Sequence, residues 1–206
     1  MENTTLLQWL TQLFRNGESY VLAMGNAKSN LVRKEWNNAT MTDKHPTIQE
    51  ADNRLVVHTS RLSIFLATEA EMEELVAAQP CAELRQAYTE MLTGSRQHPQ
   101  EREWYAVWIM VRADGTRLGD LCFKGIDERG VSEVGYGVYE PYQGQGYASE
   151  AVKAMVAWAL GTGRVVAVEA EVEDDNLASQ RVLAKCGFAP TGIRGEEGAR
   201  YVVTHC

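Results

Sequence analysis

The turn at residues 143–148, Gln-Gly-Gln-Gly-Tyr-Ala, is the stretch whose residue types most directly suggest chemistry. It leads into a helical pattern, and the first backbone N–H groups of a helix lack partners and lie at the positive end of the helix dipole. Gly144 and Gly146 carry no Cβ, so an anion could come close to the backbone. The turn is therefore a candidate pyrophosphate site, although the same glycines also suit a tight strand-to-helix connection. It matches neither the P-loop nor the GxGxxG fingerprint.

Two strands and one helix must position this glycine turn. Residues 132–139 form a short strand pattern before it, and residues 165–172 form another one further on. Between the turn and the second strand, apolar residues recur at helical spacing until Gly161, namely Ala148, Ala151, Val152, Met155, Val156 and Ala159. A strand, a helix and a strand in succession predict that the two strands are parallel neighbours.

Two helices are predicted upstream. Thr68 and Glu71 form a capping box for the first helix, which Pro80 ends. The second helix is predicted over residues 81–92, ending near Gly94.

Strands are predicted around these helices, over residues 61–66, 103–112 and 117–124. Asp114-Gly115 is a strong hairpin turn, so the last two should pair in antiparallel fashion. The order of helices, antiparallel strands and a βαβ unit predicts an α/β fold of the α+β type. Its mixed sheet should be mostly antiparallel, with one parallel pair and helices on both faces.

A final helix is predicted over residues 177–186. Asp174, Asp175 and Asn176 are all suitable N-caps, and Gly187 stands where a helix C-cap favours a left-handed residue.

The first 53 residues are a separate segment in this interpretation. Residues 4–15 show the spacing of an amphipathic helix. Residues 1–53 are predicted to form an appendage that either packs on the domain or a partner, or gates the substrate. Residues 54–206 are predicted to form the main domain.

Three motifs resemble those of the GNAT N-acetyltransferase superfamily. Gln143-x-x-Gly146-x-Ala148 resembles its Gln/Arg-x-x-Gly-x-Gly/Ala signature, and Asn176-x-x-Ser179 followed by Gly187-Phe188 is similar to a helix further along. His58-Thr-Ser-Arg61-Leu62 is similar to the opening strand of the branch related to ribosomal-protein (RimJ/RimL-type) N-terminal acetyltransferases. The resemblance covers about residue 55 to the C-terminus.

The resemblance implies acetyl-CoA as co-substrate, with no metal. The strands before and after the helix would splay apart to admit pantetheine, and the glycine turn would wrap the pyrophosphate. The implied cofactor-binding residues are Val138, Gln143, Gly144, Gln145, Gly146, Tyr147, Ala148 and Asn176.

The resemblance also suggests how protons are handled. Glu133 is the first candidate for the general base, and Glu171 is the second. Glu133 could instead be a solvated carboxylate at a strand end, and Glu171 could face solvent at a strand edge. Many family members carry a leaving-group Tyr where this chain has Leu183. Ser179 is the remaining candidate acid, although it could simply satisfy backbone N–H groups in the first helical turn.

Charge and cysteine content argue against several classes of binding site. The formal net charge is −8 and Lys and Arg are not clustered, which argues against sequence-independent nucleic-acid binding. The four cysteines show no zinc spacing or disulfide framework. No signal peptide or membrane span is recognisable, so the protein is expected to be cytoplasmic.

The predicted function is N-acetyl transfer from acetyl-CoA to a primary amine, by direct attack. The acceptor would be a small molecule or a protein or peptide N-terminus. The sequence is also compatible with a homodimer. The alternatives are a non-catalytic acyl-CoA-binding or regulatory module, and an interaction protein assembled through the N-terminal appendage.

Overall fold

A computed structural model describes residues 47–51 and 54–205. Its nine strands are β1 Thr47–Ala51, β2 Arg54–His58, β3 Leu62–Leu66, β4 Val107–Arg112, β5 Arg117–Phe123, β6 Val131–Val138, β7 Ala167–Val172, β8 Ala189–Arg194 and β9 Ala199–Thr204. The helices are α1 Glu69–Ala78, α2 Ala82–Gln97, α3 Tyr147–Gly161 and α4 Leu177–Lys185, with 3-10 turns at Arg102–Trp104 and Glu140–Tyr142.

The strands form one mixed sheet in the order β1-β2-β3-β4-β5-β6-β7-β9-β8. Every neighbouring pair is antiparallel except β6 and β7, which are parallel. The predicted mostly antiparallel sheet with one parallel pair is thereby confirmed. The parallel pair arises because α3 carries the chain back across the sheet between the two strands.

Helices cover both faces of the sheet. Phe123 of β5 packs against Trp158 of α3, with ring centroids 5.6 Å apart. Asp120 lies three residues earlier on β5, hence on the other face, and accepts a hydrogen bond from Tyr88 of α2 at 2.8 Å. Trp104 joins the α3 side, with its ring 5.1 Å from that of Trp158. The aromatic core therefore fixes α3 on the sheet, and the site depends on where α3 begins.

The local helix signals predicted from sequence are present. Thr68 and Glu71 form the capping box of α1, and Asn176 caps α4 by accepting from Ser179 N. Gly187 adopts φ 86°, the left-handed conformation expected of a C-cap glycine.

Two predicted boundaries differ from the structure by four residues or more, and the others by two or fewer. Helix α2 continues past Gly94 to Gln97. Gly94 lets Tyr105 pack closely on the helix, since a Cβ there would lie only 3.3 Å from its side chain. The strand predicted over residues 103–112 begins only at Val107. Arg102 starts a 3-10 turn instead, where its side chain donates to Ala67 O at 2.8 Å and to Ser95 Oγ at 2.9 Å.

The N-terminal predictions are mostly untested. The amphipathic helix predicted over residues 4–15 lies outside the described residues. Strand β1 falls inside the segment 1–53 but pairs with β2 in the main sheet, in the register Thr47 with His58. None of the helices in the described part of the chain is long and apolar enough to cross a membrane.

Candidate functional site

Strands β6 and β7 separate part-way along their length. Their paired residues run only from Val131 with Ala167 to Glu133 with Glu169. Beyond this point a cleft opens between the strands, as the sequence analysis expected. It is lined by Lys124, Glu133, Val134, Gly135, Tyr136, Ala170, Glu171, Val172, Asn176, Ser179 and Glu197.

The glycine turn lies at the end of β6, between that strand and α3. Gly144 and Gly146 adopt φ values of 72° and 83°, a conformation that favours glycine. Gly146 is the N-cap of α3 and supplies no side chain there, and a Cβ at Gly144 would meet nothing within 4 Å. Gln143 Nε2 donates to Val138 O at 2.9 Å and so ties the turn to the strand end. Backbone donors with open space in front of them fit an anionic group.

Arg61 lies against the glycine turn, a placement that the sequence analysis did not assign. Its Nε donates to Glu150 Oε2 at 2.6 Å and its Nη1 donates to Gln145 O at 3.0 Å. Its guanidinium carbon lies 4.5 Å from the ring centroid of Tyr147. Burial raises the pKa of Glu150, but hydrogen bonds from Thr59 and Arg61 outweigh it and the net pKa is lowered. The carboxylate is therefore ionised beside the cation.

A cluster of charged side chains lies at the end of the cleft where the pairing of β6 with β7 stops. Lys124 Nζ forms an ion pair with Glu133 Oε1. Arg200 approaches three carboxylates, with distances of 3.9 Å to Glu133, 3.3 Å to Glu169 and 3.1 Å to Glu171. Arg129 also lies 3.7 Å from Glu169, so these three carboxylates face three cations. Glu197 lines the same cleft and adds a fourth carboxylate, which leaves an excess of negative charge where an ammonium group would have to enter.

The two candidate bases occupy different environments. The Glu133 side chain retains 15% exposure, whereas that of Glu171 retains 1%. Glu171 Oε1 accepts hydrogen bonds from Glu197 N at 2.5 Å and Gly198 N at 2.9 Å. Glu171 thus anchors the turn between β8 and β9, and the alternative that it faces solvent at a strand edge is wrong.

Ser179 lies in the cleft beside a residue that the sequence analysis missed. Its Oγ is 2.6 Å from Tyr136 Oη, and Tyr136 Oη also donates to Ser179 O at 3.3 Å. Burial raises the pKa of Tyr136, so its hydroxyl stays protonated. Asn176 Oδ1 accepts from Ser179 N at 3.0 Å and lines the same cleft. Leu183, where many family members carry Tyr, is fully buried.

Glu197 also lines the cleft and was not predicted. It lies in the turn between β8 and β9, and the sequence analysis assigned neither strand. The sequence contains a sign of this turn, because Gly195 and Gly198 enclose two acidic residues between two segments that can form strands.

The thiols of Cys122 and Cys186 are not activated. Burial raises the pKa of Cys122 to about 12 and that of Cys186 to about 11. Cys186 Sγ is also engaged with Ser149 O at 3.4 Å. These thiols are therefore poor nucleophiles near neutral pH.

Comparison with protein families decides the assignment. The model of the acetyltransferase (GNAT) domain matches residues 54–189. This chain belongs to the GNAT acetyltransferase family. An uncharacterized N-acetyltransferase of Bacillus subtilis (strain 168), YjdG, is 37% identical over 83 residues, which are 39% of this GNAT chain and 49% of the relative. The match with this relative thus spans about half of its length.

Solved structures share the GNAT fold. The ribosomal L7/L12 α-N-protein acetyltransferase RimL superposes with a TM-score of 0.59 at 18% identity, covering 77% of this chain and 100% of RimL. Mycobacterium smegmatis RimJ, solved with CoA-disulfide, superposes with a TM-score of 0.54 at 18% identity, covering 78% of this chain and 90% of RimJ. At these identities the likeness concerns the fold.

Proposed function

We propose that this GNAT protein transfers the acetyl group of acetyl-CoA to a primary amine by direct attack. The observation that carries the proposal is the β6–β7 cleft. The glycine turn lies beyond the end of β6, and a carboxylate cluster and a pair of hydroxyl groups line the cleft itself. Family membership supports the same reaction.

The chain's own groups fit acetyl-CoA. The glycine turn would hold the pyrophosphate through backbone N–H groups, which Gln143 keeps in place at the end of β6. Because β6 and β7 are unpaired past Glu133, the backbone of β6 up to Val138 and the side chain of Asn176 could bond pantetheine. Bound acetyl-CoA supplies the thioester. Backbone N–H groups in the cleft would polarise its carbonyl.

Glu133 is assigned as the general base. The acceptor arrives as an ammonium ion, and Glu133 takes its proton directly or through a water molecule. Glu133 keeps partial exposure in the cleft and makes no bonds to the turn between β8 and β9, whereas Glu171 is committed to that turn. The amine then forms the N–C bond while the C–S bond breaks. The attacking nitrogen gives its second proton to water, and the hydroxyl pair that protonates the thiolate regains a proton from water.

Ser179 and Tyr136 are assigned to the leaving group. The departing thiolate takes a proton from Ser179 Oγ, and Tyr136 Oη, 2.6 Å away, holds that hydroxyl in place and can replace its proton. Direct transfer of this kind needs no acyl-cysteine, in agreement with the raised pKa values of Cys122 and Cys186.

The acceptor class follows from the charge around the cleft. The residues that line the cleft include three carboxylates, Glu133, Glu171 and Glu197, and one cation, Lys124, and this lining favours a cationic amine. A small-molecule amine and a protein or peptide N-terminus both fit this description. The fold shared with RimL, named as a ribosomal L7/L12 α-N-protein acetyltransferase, makes N-terminal peptides worth testing first.

The test is thiol release from acetyl-CoA with a panel of amines. The panel holds peptides with different N-terminal residues, N-terminally blocked versions of the same peptides, and small polyamines. The expected result is CoA release together with an acetylated product found by mass spectrometry, absent for blocked peptides that lack lysine. Tight CoA binding without product from any amine would instead identify a non-catalytic acyl-CoA-binding module.

A further inference from the structure

We propose that Arg61 binds a pyrophosphate oxygen of acetyl-CoA at the glycine turn. This inference rests on the proposed function, because it assigns a further residue to the same co-substrate. Arg61 precedes β3 and is separated by 84 residues from Gln145, whose carbonyl it contacts.

The loop between β2 and β3 is attached to the first turn of α3 through one carboxylate. Glu150 Oε1 accepts from Thr59 Oγ1 at 2.6 Å, from Ser60 Oγ at 3.0 Å and from Arg61 N at 2.9 Å. Its Oε2 accepts from Arg61 Nε at 2.6 Å. An ionised carboxylate this close to an anion site would repel a phosphate. Arg61 offsets that charge, so the loop makes the site compatible with pyrophosphate.

The guanidinium of Arg61 has donor capacity left over. Nε is used by Glu150 and Nη1 by Gln145 O, whereas Nη2 has no hydrogen-bond partner within residues 47–51 and 54–205. Nη2 lies 3.5 Å from where a Cβ on Gly146 would stand, and the side chain is 45% exposed. The unused edge of the guanidinium therefore adjoins the space in front of the glycine turn. A guanidinium is the side chain best suited to bind phosphate oxygens through paired donors.

A purely structural role for Arg61 predicts a different outcome from a phosphate contact. If Arg61 only attached the loop to α3, removing Glu150 would weaken CoA binding as much as removing Arg61. If Arg61 binds phosphate, Glu150→Gln removes a repulsive charge and releases donors for the ligand. In that case Arg61→Gln weakens CoA binding and Glu150→Gln does not.

The experiment is calorimetry of CoA and of dephospho-CoA, which lacks the 3′-phosphate, with the full chain and with Arg61→Gln and Glu150→Gln. We expect Arg61→Gln to weaken both ligands about 10- to 100-fold, the loss of a hydrogen bond to a charged group. We expect Glu150→Gln to bind CoA as tightly as the parent chain or more tightly. Circular dichroism confirms that each variant is folded.

Three outcomes would overturn the inference. Unchanged CoA affinity in folded Arg61→Gln rules out the contact. Equal losses in Arg61→Gln and Glu150→Gln show that Arg61 only positions the loop. A loss for CoA but not for dephospho-CoA moves the contact to the 3′-phosphate. Failure of the parent chain to bind CoA at all would instead overturn the proposed function and this inference together.

Discussion

The hydroxyl oxygens of Tyr136 and Ser179 lie 2.6 Å apart, although Tyr136 belongs to β6 and Ser179 to α4. Both residues line the cleft between β6 and β7. The pair therefore places an aromatic hydroxyl beside a serine, while buried Leu183 stands at the position on α4 where the resemblance places a tyrosine in many family members.

Loss of the Ser179 hydroxyl should slow the departure of the thiolate. We expect Ser179→Ala to lower kcat by about 10²-fold or more, and Tyr136→Phe to lower it less, because Ser179 remains. The double variant should be no slower than Ser179→Ala, since the two hydroxyls act as one unit. Steady-state kinetics measures all three, with Thr93→Val on the exposed face of α2 as the control.

A more acidic leaving group distinguishes proton donation from a packing defect. An acetyl thioester of an aryl thiol needs no protonation of its leaving group, so Ser179→Ala should lose little activity with it. Equal losses with acetyl-CoA and with the aryl thioester would show that Ser179 is not the acid.

Loss of the Glu133 carboxylate should remove the general base. We expect Glu133→Gln to lower kcat about 10²- to 10⁴-fold with CoA affinity near that of the parent chain. Glu197→Gln tests a further carboxylate that lines the cleft. Stopped-flow thiol detection gives the rates, and calorimetry gives the CoA affinity.

Glu171→Gln is the matched comparison for Glu133→Gln. It should affect the free energy of unfolding more than kcat, because Glu171 is buried and holds the backbone of Glu197 and Gly198. A fully active Glu133→Gln beside an inactive, stably folded Glu171→Gln would reverse the assignment of the base.

A side chain at Gly146 should block the pyrophosphate. Gly146→Val places a branched side chain at the N-cap of α3, and we expect CoA affinity to fall more than 10-fold. Gly163→Val is the matched control, because Gly163 also has positive φ, at 69°, and adds a side chain at the other end of α3. Both variants should lose stability, by about 1–3 kcal/mol for the strained backbone. If calorimetry finds the same CoA affinity in both, the pyrophosphate does not lie on this turn.

His58 should make the fold sensitive to acid. His58 is the last residue of β2, and its Nδ1 lies 3.0 Å from Oγ of Ser63 on β3. Burial lowers the pKa of His58. The unfolded chain therefore binds a proton more readily than the folded chain. The stability contributed by neutral His58 is present above the unfolded pKa of about 6.5 and is lost as the pH falls below it. Urea denaturation between pH 7.5 and 5.5 should show a larger loss for the parent chain than for His58→Gln, and equal losses would contradict this.

The sequence by itself determined the elements whose signals lie within a few residues. The capping box of Thr68 and Glu71, the N-cap Asn176 and the glycines of the turn act through their immediate neighbours, so their residue types suffice to predict them. The βαβ unit followed from periodicity, and with it came the parallel pair of strands. The motif resemblance then supplied the family.

The last strands of the sheet and the ends of some elements could not be predicted from the sequence. Strand β9 is set by pairing with β7 and β8 by pairing with β9, and α2 runs through Gly94, on which Tyr105 packs closely. Such contacts override local propensity and cannot be deduced from neighbouring residues.

Only the tertiary structure decided which side chains meet at the site. Tyr136 and Ser179 are 43 residues apart in sequence, and Arg61 and Glu150 are 89 residues apart. The sequence offered both Glu133 and Glu171 as candidate general bases. The fold distinguishes them, because Glu171 is buried against the backbone of the turn between β8 and β9. A residue type states which bonds a side chain can make. The packing of distant elements determines which of those bonds are already used and which remain for a ligand.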